Sequence, residues 1–156
     1  MALQDFTSHN ASVPLDGTHR HFLLRNTIDC TKSTGGGFGT LLSSDTARIL
    51  EIKEGWFVRQ IWLRVVTPGS NTSAVESIGD SVGAATWIAT DFAFGSAGAA
   101  GKVVGNLHTD TNGALTGYLY LTDDYLLLTP KTANYDGAFE IVAEVIDVFG
   151  GKTIAA

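Results

Sequence analysis

A chain of 156 residues is long enough for one domain with its own core and short for two. With 16 acidic and 10 basic residues its net charge is −6, and no cluster of Lys or Arg offsets this, so nucleic acid is not an expected partner. The single cysteine, Cys30, excludes an internal disulfide and a Cys-x-x-Cys metal knot, and no apolar run approaches the ~20 residues of a membrane helix.

Eighteen glycines and many Ser, Thr and Ala break the apolar residues into short pieces, a pattern that suits strands and turns better than long helices. Residues 1–19 are polar, with Pro14 and Asp16-Gly17 as turn formers and without the basic start and apolar block of a secretory signal. They read as an irregular, extended arm of a protein made in the cytoplasm. Phe6, Val13 and Leu15 are the apolar groups that could anchor this arm on a neighbouring surface.

Strand patterns begin at residue 21, in "HFLLRNTIDC", and after the break "GGGFG" two short candidates follow in "FGTLLSS" and "ARILEI". The strongest element is "GWFVRQIWLRVVTP", 55–68. Period two places Phe57, Ile61, Leu63 and Val65 on one face, interrupted by Arg59, and Trp56, Val58 and Trp62 on the other. Large apolar groups on both faces predict a strand covered on both sides by layers or by other chains.

"ATWIATDFAF" reads as a helical turn or an irregular excursion, and Asn112-Gly113 predicts a two-residue hairpin turn. The closing "GAFEIVAEVIDVFGG" alternates Phe139, Ile141, Ala143 and Val145 against Glu140 and Glu144, and its β-branched and aromatic content favours strand over helix. Eight or nine strands at turn spacings of roughly ten residues predict an all-β fold, a single β-sandwich or jelly-roll-like domain over 20–156 behind the arm at 1–19.

The motifs that could carry chemistry are incomplete. Gly79-Asp80-Ser81 resembles the opening of the nucleophile block of a family of serine esterases, but a serine hydroxyl is inert without an oriented imidazole. None of His9, His19, His21 and His108 has the late Asp-x-x-His spacing that family uses, so a turn is expected at Ser81. "STGGGFGT" lacks the Gly-Lys-Ser/Thr ending of a nucleotide loop. His19 and His21, two apart, share a strand face and could supply two ligands of a structural ion, short of the three or four a site needs. "DTNG", 110–113, lacks the distal Glu of a calcium loop.

Asp123-Asp124 reads as a solvated turn. Trp56, Trp62 and Trp87 raise the alternative of a carbohydrate-binding module, although such groups more often pack in a core or a subunit interface. No enzyme, cofactor or metal is expected.

The layout "LEIKEGWFVRQIWLRVVTP", "SIGDSVGAATWIATDF", a Gly/Ala stretch, "YLTDDYLLLTP" and "GAFEIVAEVIDVF" resembles small β-sandwich structural proteins of tailed-bacteriophage virions, over roughly residues 45–149. The resemblance implies a capsid decoration or cement protein located in the virion. It also implies self-association, as a homotrimer, and contact with the major capsid protein or another virion protein.

Overall fold

The structure is a computed structural model that describes residues 3–5, 11–14, 20–32, 39–43, 45–70, 76–92, 100–101, 103–106, 108–109 and 115–148. Among these residues there is no helix. Two mixed or antiparallel sheets face each other across one core.

The first sheet runs β1 (Leu3–Asp5), β4 (Thr46–Ile52), β12 (Asp124–Pro130), β6 (Glu76–Gly79) and β7 (Ile88–Phe92) from edge to edge. The second runs β11 (Tyr118–Leu119), β5 (Trp56–Thr67), β13 (Ala138–Asp147), β3 (Arg20–Asp29) and β2 (Ala11–Pro14), with β8 (Val103–Asn106) also paired to β5. A small hairpin joins β9 (His108–Thr109) to β10 (Leu115–Thr116), flanking the predicted Asn112-Gly113 turn, which itself lies outside the described residues.

The sandwich follows from alternation. In β13 strict period two holds: Phe139, Ile141, Ala143 and Val145 are fully buried, as the sequence predicts. Phe22, Leu24 and Ile28 of β3 join them, and Leu50, Ile52, Leu126, Leu128 and Ile78 close the core from the opposite sheet. Each of these side chains larger than Ala143 contributes about 1.5–3 kcal/mol of transfer free energy on burial, which is what drives the two sheets together.

Three of the four register irregularities among the described residues, those in β5 and β4, re-aim side chains toward or away from the core. In β5 the register against β13 slips between Val58 and Gln60, leaving Arg59 as the extra residue of a bulge. Trp56 and Val58 on one side of it, and Ile61, Leu63 and Val65 on the other, therefore all point inward. Phe57 and Trp62 lie on the outer face. The sequence expectation that Trp56 and Trp62 share a face is thus overturned, because one inserted residue reverses the parity of everything beyond it.

A second slip leaves Val66 as the extra residue, and it is exposed. The third is in β4, where Ile49 is extra against β12. A bulge frees a ladder carbonyl, and the Asn26 side chain of β3 donates to the Ile49 carbonyl at 2.7 Å across the core. This bond ties one sheet to the other.

The thirteen strands among the described residues exceed the eight or nine read from the sequence, because β1, β2 and β8 to β11 are two to four residues long. Periodicity cannot be seen over so few positions. Conversely "FGTLLSS" forms no strand in its described part, only a single bridge from Leu41 to Tyr135. "ATWIATDFAF" supplies β7, a strand and not a helical turn. Within the N-terminal arm, Leu3–Asp5 pairs in parallel with β4 and Ala11–Pro14 pairs antiparallel with β3, so these two stretches run along sheet edges.

Candidate functional site

The Gly79-Asp80-Ser81 stretch is a turn after β6, and each of its residues has a separate reason to be there. A Cβ on Gly79 would stand 2.0 Å from the Gly83 carbonyl oxygen and 2.4 Å from the Ala84 carbonyl carbon, so only glycine admits this close backbone approach. Asp80 folds the turn back on itself. Its Oδ1 accepts from Val82 N at 3.0 Å and from the Thr86 hydroxyl at 3.0 Å, while its own N donates to Gly83 O at 3.0 Å. Ser81 is exposed and its hydroxyl donates to Asp124 Oδ2 at 2.6 Å. The partner of this serine is a carboxylate at the start of β12, and the turn reading holds.

Asp80 is itself buried, and its second oxygen anchors an aromatic cluster. Oδ2 accepts from Tyr120 Oη at 2.7 Å and from Trp87 Nε1 at 3.2 Å, and Trp87 Nε1 also donates to Tyr120 Oη at 2.9 Å. His108, fully buried, stacks on Tyr118 with ring centroids 4.3 Å apart. It meets the edge of Trp87 at 5.0 Å. Its Nε2 lies 3.2 Å from Asp80 Oδ2, in an alignment that makes no hydrogen bond.

Burial, and then the Asp80 charge, push the Tyr120 phenol far above its ordinary value. With its lone pairs taken by so many donors, the Asp80 carboxylate is not presented to a substrate. The cluster is a fastening between the β6–β7 turn and the β11–β12 connection, and sequence reading missed it because its members are scattered from Asp80 to Tyr120.

The second feature is the outer face of the β11-β5-β13-β3-β2 sheet. Glu140 of β13 bridges its neighbours, with Oε1 accepting from Arg25 Nη2 at 2.7 Å and Oε2 from Arg64 Nε at 3.0 Å. Four residues on, and so on the same face, Glu144 Oε1 lies 2.8 Å from His21 Nε2 and accepts from Arg59 Nη1 at 3.1 Å. The Glu side chains are 14% and 11% exposed and the three arginines 56–62%, so guanidinium groups roof the carboxylates. Between the two ionic groups runs an apolar groove of about 300 Å³, lined by His21, Phe22, Leu23, Trp62 and Glu144.

The other candidates disperse. Trp87 is fully buried and Trp56 packs inward with its ring at 4.9 Å from Phe22, on the opposite face from Trp62, so the three share no sugar platform. His21 is paired with Glu144, and His19 lies outside the described residues. No group of three or more His, Cys, Asp or Glu suited to a metal occurs among the described residues.

Phe6 and Leu15 lie outside the described residues; Val13 sits in β2, opposite Leu23. Residues 110–113 also lie outside them. Asp123 does occupy a turn, held by Glu54 N at 2.9 Å and Lys53 Nζ at 3.2 Å, which keep its carboxyl below the usual range. Cys30 is buried, which pushes its thiol up to about 12.

No family profile matches the sequence, and no curated protein matches it. Solved structures do match. A chain from the capsid of Ralstonia phage GP4 superposes with a TM-score of 0.59 over 94% of this chain and 98% of that one, at 14% identity. The fold is that of a phage capsid chain. A chain of the Cyanophage Pam1 capsid asymmetric unit gives 0.54 over 87% and 91% at 12% identity. One from the acidic stable capsid of Helicobacter pylori bacteriophage KHP30 gives 0.51 over 90% and 94%, also at 12%. The β-sandwich expected from the sequence is therefore shared end to end with chains that occur in capsids.

Proposed function

We propose that this chain is a non-enzymatic structural protein of a phage virion, a decoration or cement protein that stabilises the head. It does so by associating with itself, as a trimer, and by binding the major capsid protein. The observation that carries the reading is the end-to-end correspondence with a chain of a phage capsid, 94% of one and 98% of the other. Two features of the site support it. Ser81 is paired with a carboxylate and Asp80 is saturated with donors, so neither is poised to break a bond. The exposed face of the six-stranded sheet carries ordered arginines around an apolar groove, the composition of an association surface.

The mechanism is mass action. A protein that binds the assembled shell and not its dissociated subunits shifts the equilibrium toward the shell, and symmetry multiplies each modest contact. The arm at 1–19, with Phe6, Val13 and Leu15, is a second contact with neighbouring subunits. The virion is then the place of action and the host cytoplasm the place of synthesis.

The test is co-sedimentation of the purified protein with shells that lack it, together with the temperature at which those shells disassemble. Binding and a raised disassembly temperature are expected. Removal of residues 1–17 is expected to leave a folded domain that binds shells more weakly. A protein that ignores shells and instead shows glycan-dependent quenching of Trp62 fluorescence refutes the reading in favour of a carbohydrate-binding module.

A further inference from the structure

Two surfaces of the chain are complementary to one another and neither is complementary to itself. The first is the outer sheet face. Arg25, Arg59 and Arg64 outnumber Glu140 and Glu144 by one, so this face is locally cationic while the rest of a chain of net charge −6 carries −7. Its apolar centre is the groove beside Trp62 and Leu23, and Leu23 is 46% exposed.

The second surface is the end of the sandwich around the β11–β12 connection. Leu121 there is 63% exposed, the most exposed large hydrophobic of the described residues, and Val82 across the Ser81–Asp124 bond is 45% exposed. Glu51, Glu54, Asp123 and Asp124 lie on the adjoining β4–β5 and β11–β12 segments, against Lys53 and, over the Tyr125 ring, Arg48. This end therefore carries an excess of carboxylates beside an apolar tip. It is also rigid: Asp123 is fastened to Glu54 N, and Tyr120 to the Asp80 cluster.

We propose that the acidic β11–β12 end of one copy docks on the arginine-bearing sheet face of the next, so that copies associate head to tail. Leu121 seats at the groove beside Trp62 and Leu23, and Asp123 and Glu54 approach the guanidinium groups of Arg59 and Arg64 that flank it. Face-to-face pairing across a two-fold axis sets guanidinium against guanidinium, and end-to-end pairing sets carboxylate against carboxylate. Only the heterologous arrangement matches charge with opposite charge, and such contacts close into rings when their rotation permits. A polyphosphate suits the face less well, because it offers nothing to the apolar groove. The inference rests on the self-association reading above and names the surfaces that carry it.

The test is the mass of the full chain in solution by sedimentation velocity, at a fixed concentration and at low and high salt. Arg59→Glu with Arg64→Glu reverses the face, and Glu54→Lys with Asp123→Lys reverses the end. Each pair alone is expected to weaken association by about 100-fold or more and to leave single chains. All four substitutions in one chain are expected to restore the mass, and high salt to lower the mass of the unaltered protein.

Leu121→Ser, at a position where solvent already covers the side chain, weakens association without touching the charges. Circular dichroism confirms that each variant is folded. An oligomer of unchanged mass in both reversed pairs overturns the proposal, as does an unaltered protein that remains a single chain at its highest soluble concentration. Shell binding by the unaltered protein is scored separately, so a wrong docking surface is distinguished from a wrong virion assignment.

Discussion

Asp80 and Ser81 are neighbours in sequence, and the structure assigns them opposite energetic weight. Asp80→Asn keeps the shape of the side chain but exchanges one acceptor oxygen for a donor. If the amide nitrogen is turned toward the chain, it opposes Val82 N–H; if toward the aromatics, it faces Tyr120 O–H and Trp87 N–H. The second orientation is cheaper, since the Tyr120 hydroxyl can rotate to accept.

Even then, bonds to a charge worth about 1.5–3 kcal/mol become neutral ones worth about 0.5–1.5. Over the three bonds that persist, from Val82 N and the Thr86 hydroxyl and, reversed, to Tyr120 Oη, the gross loss is roughly 3 kcal/mol, offset in part because a neutral amide is easier to bury than a carboxylate. A net cost of about 2 kcal/mol follows, or a Tm lowered by roughly 4–8 °C for a domain of this size. Tyr120→Phe removes one donor and leaves Trp87 on Asp80, costing about 1–1.5 kcal/mol. The two share a bond, so the double variant is expected to cost less than the sum.

Ser81→Ala, exposed, serves as the contrast at under about 0.5 kcal/mol. Denaturant unfolding at a fixed protein concentration reads all four. If Asp80→Asn costs no more than Ser81→Ala, the buried network is not holding the turn and the reasoning fails.

Two further outcomes follow from particular contacts. Gly79→Ala forces a methyl into the Gly83 carbonyl, so it is expected to destabilise by about 1–3 kcal/mol, as overpacking does, read by the same unfolding assay. Asp136 accepts from Ser70 N at 2.7 Å and from the Ser70 hydroxyl, which hold its carboxyl below the usual range. A lowered folded-state pKa contributes stability above the ordinary carboxylate value of about 3.8 that is lost as the pH falls through the lower folded value. Asp136→Asn is thus expected to lower Tm at neutral pH, by the equivalent of at most about 1 kcal/mol for so exposed a group, with the gap to the unaltered protein closing below about pH 4. A gap that is constant across pH refutes the carboxylate tether.

The legibility of this fold in its sequence is decided by strand length and by bulges. β13 can be read residue by residue because ten residues alternate without interruption, and all four of its predicted inward positions are buried. β5 falls at the right place but its faces are crossed beyond Arg59, since a bulge costs one residue and leaves no compositional trace. The groups Arg25–Glu140–Arg64 and His21–Glu144–Arg59 have a partial signal, in that Glu140 and Glu144 are separated by an even number and must share a face. Their partners on β3 and β5 need the strand order, which alternation does not supply. The Asp80 cluster needs three-dimensional proximity between the β6–β7 turn and Tyr120, and nothing local predicts that.

The contrast between the two acidic environments bears on how a chain that associates as proposed is also stable alone. Asp80 is neutralised from within, by donors that never leave the fold, so its burial stabilises one arrangement of the turn and offers nothing to a neighbour. Glu140 and Glu144 are neutralised from above, by arginines that remain more than half exposed. The carboxylates fix the guanidinium groups in place before any partner arrives, and an ordered arginine surrenders less rotamer entropy on docking than a free one. Under the proposed self-association, the same salt bridges that add little to the stability of an isolated chain lower the cost of assembling many. Selection on the assembled state would then act on Glu140 and Glu144 through the arginines they hold, and Glu140→Gln would weaken association, read by sedimentation velocity, more than it weakens folding.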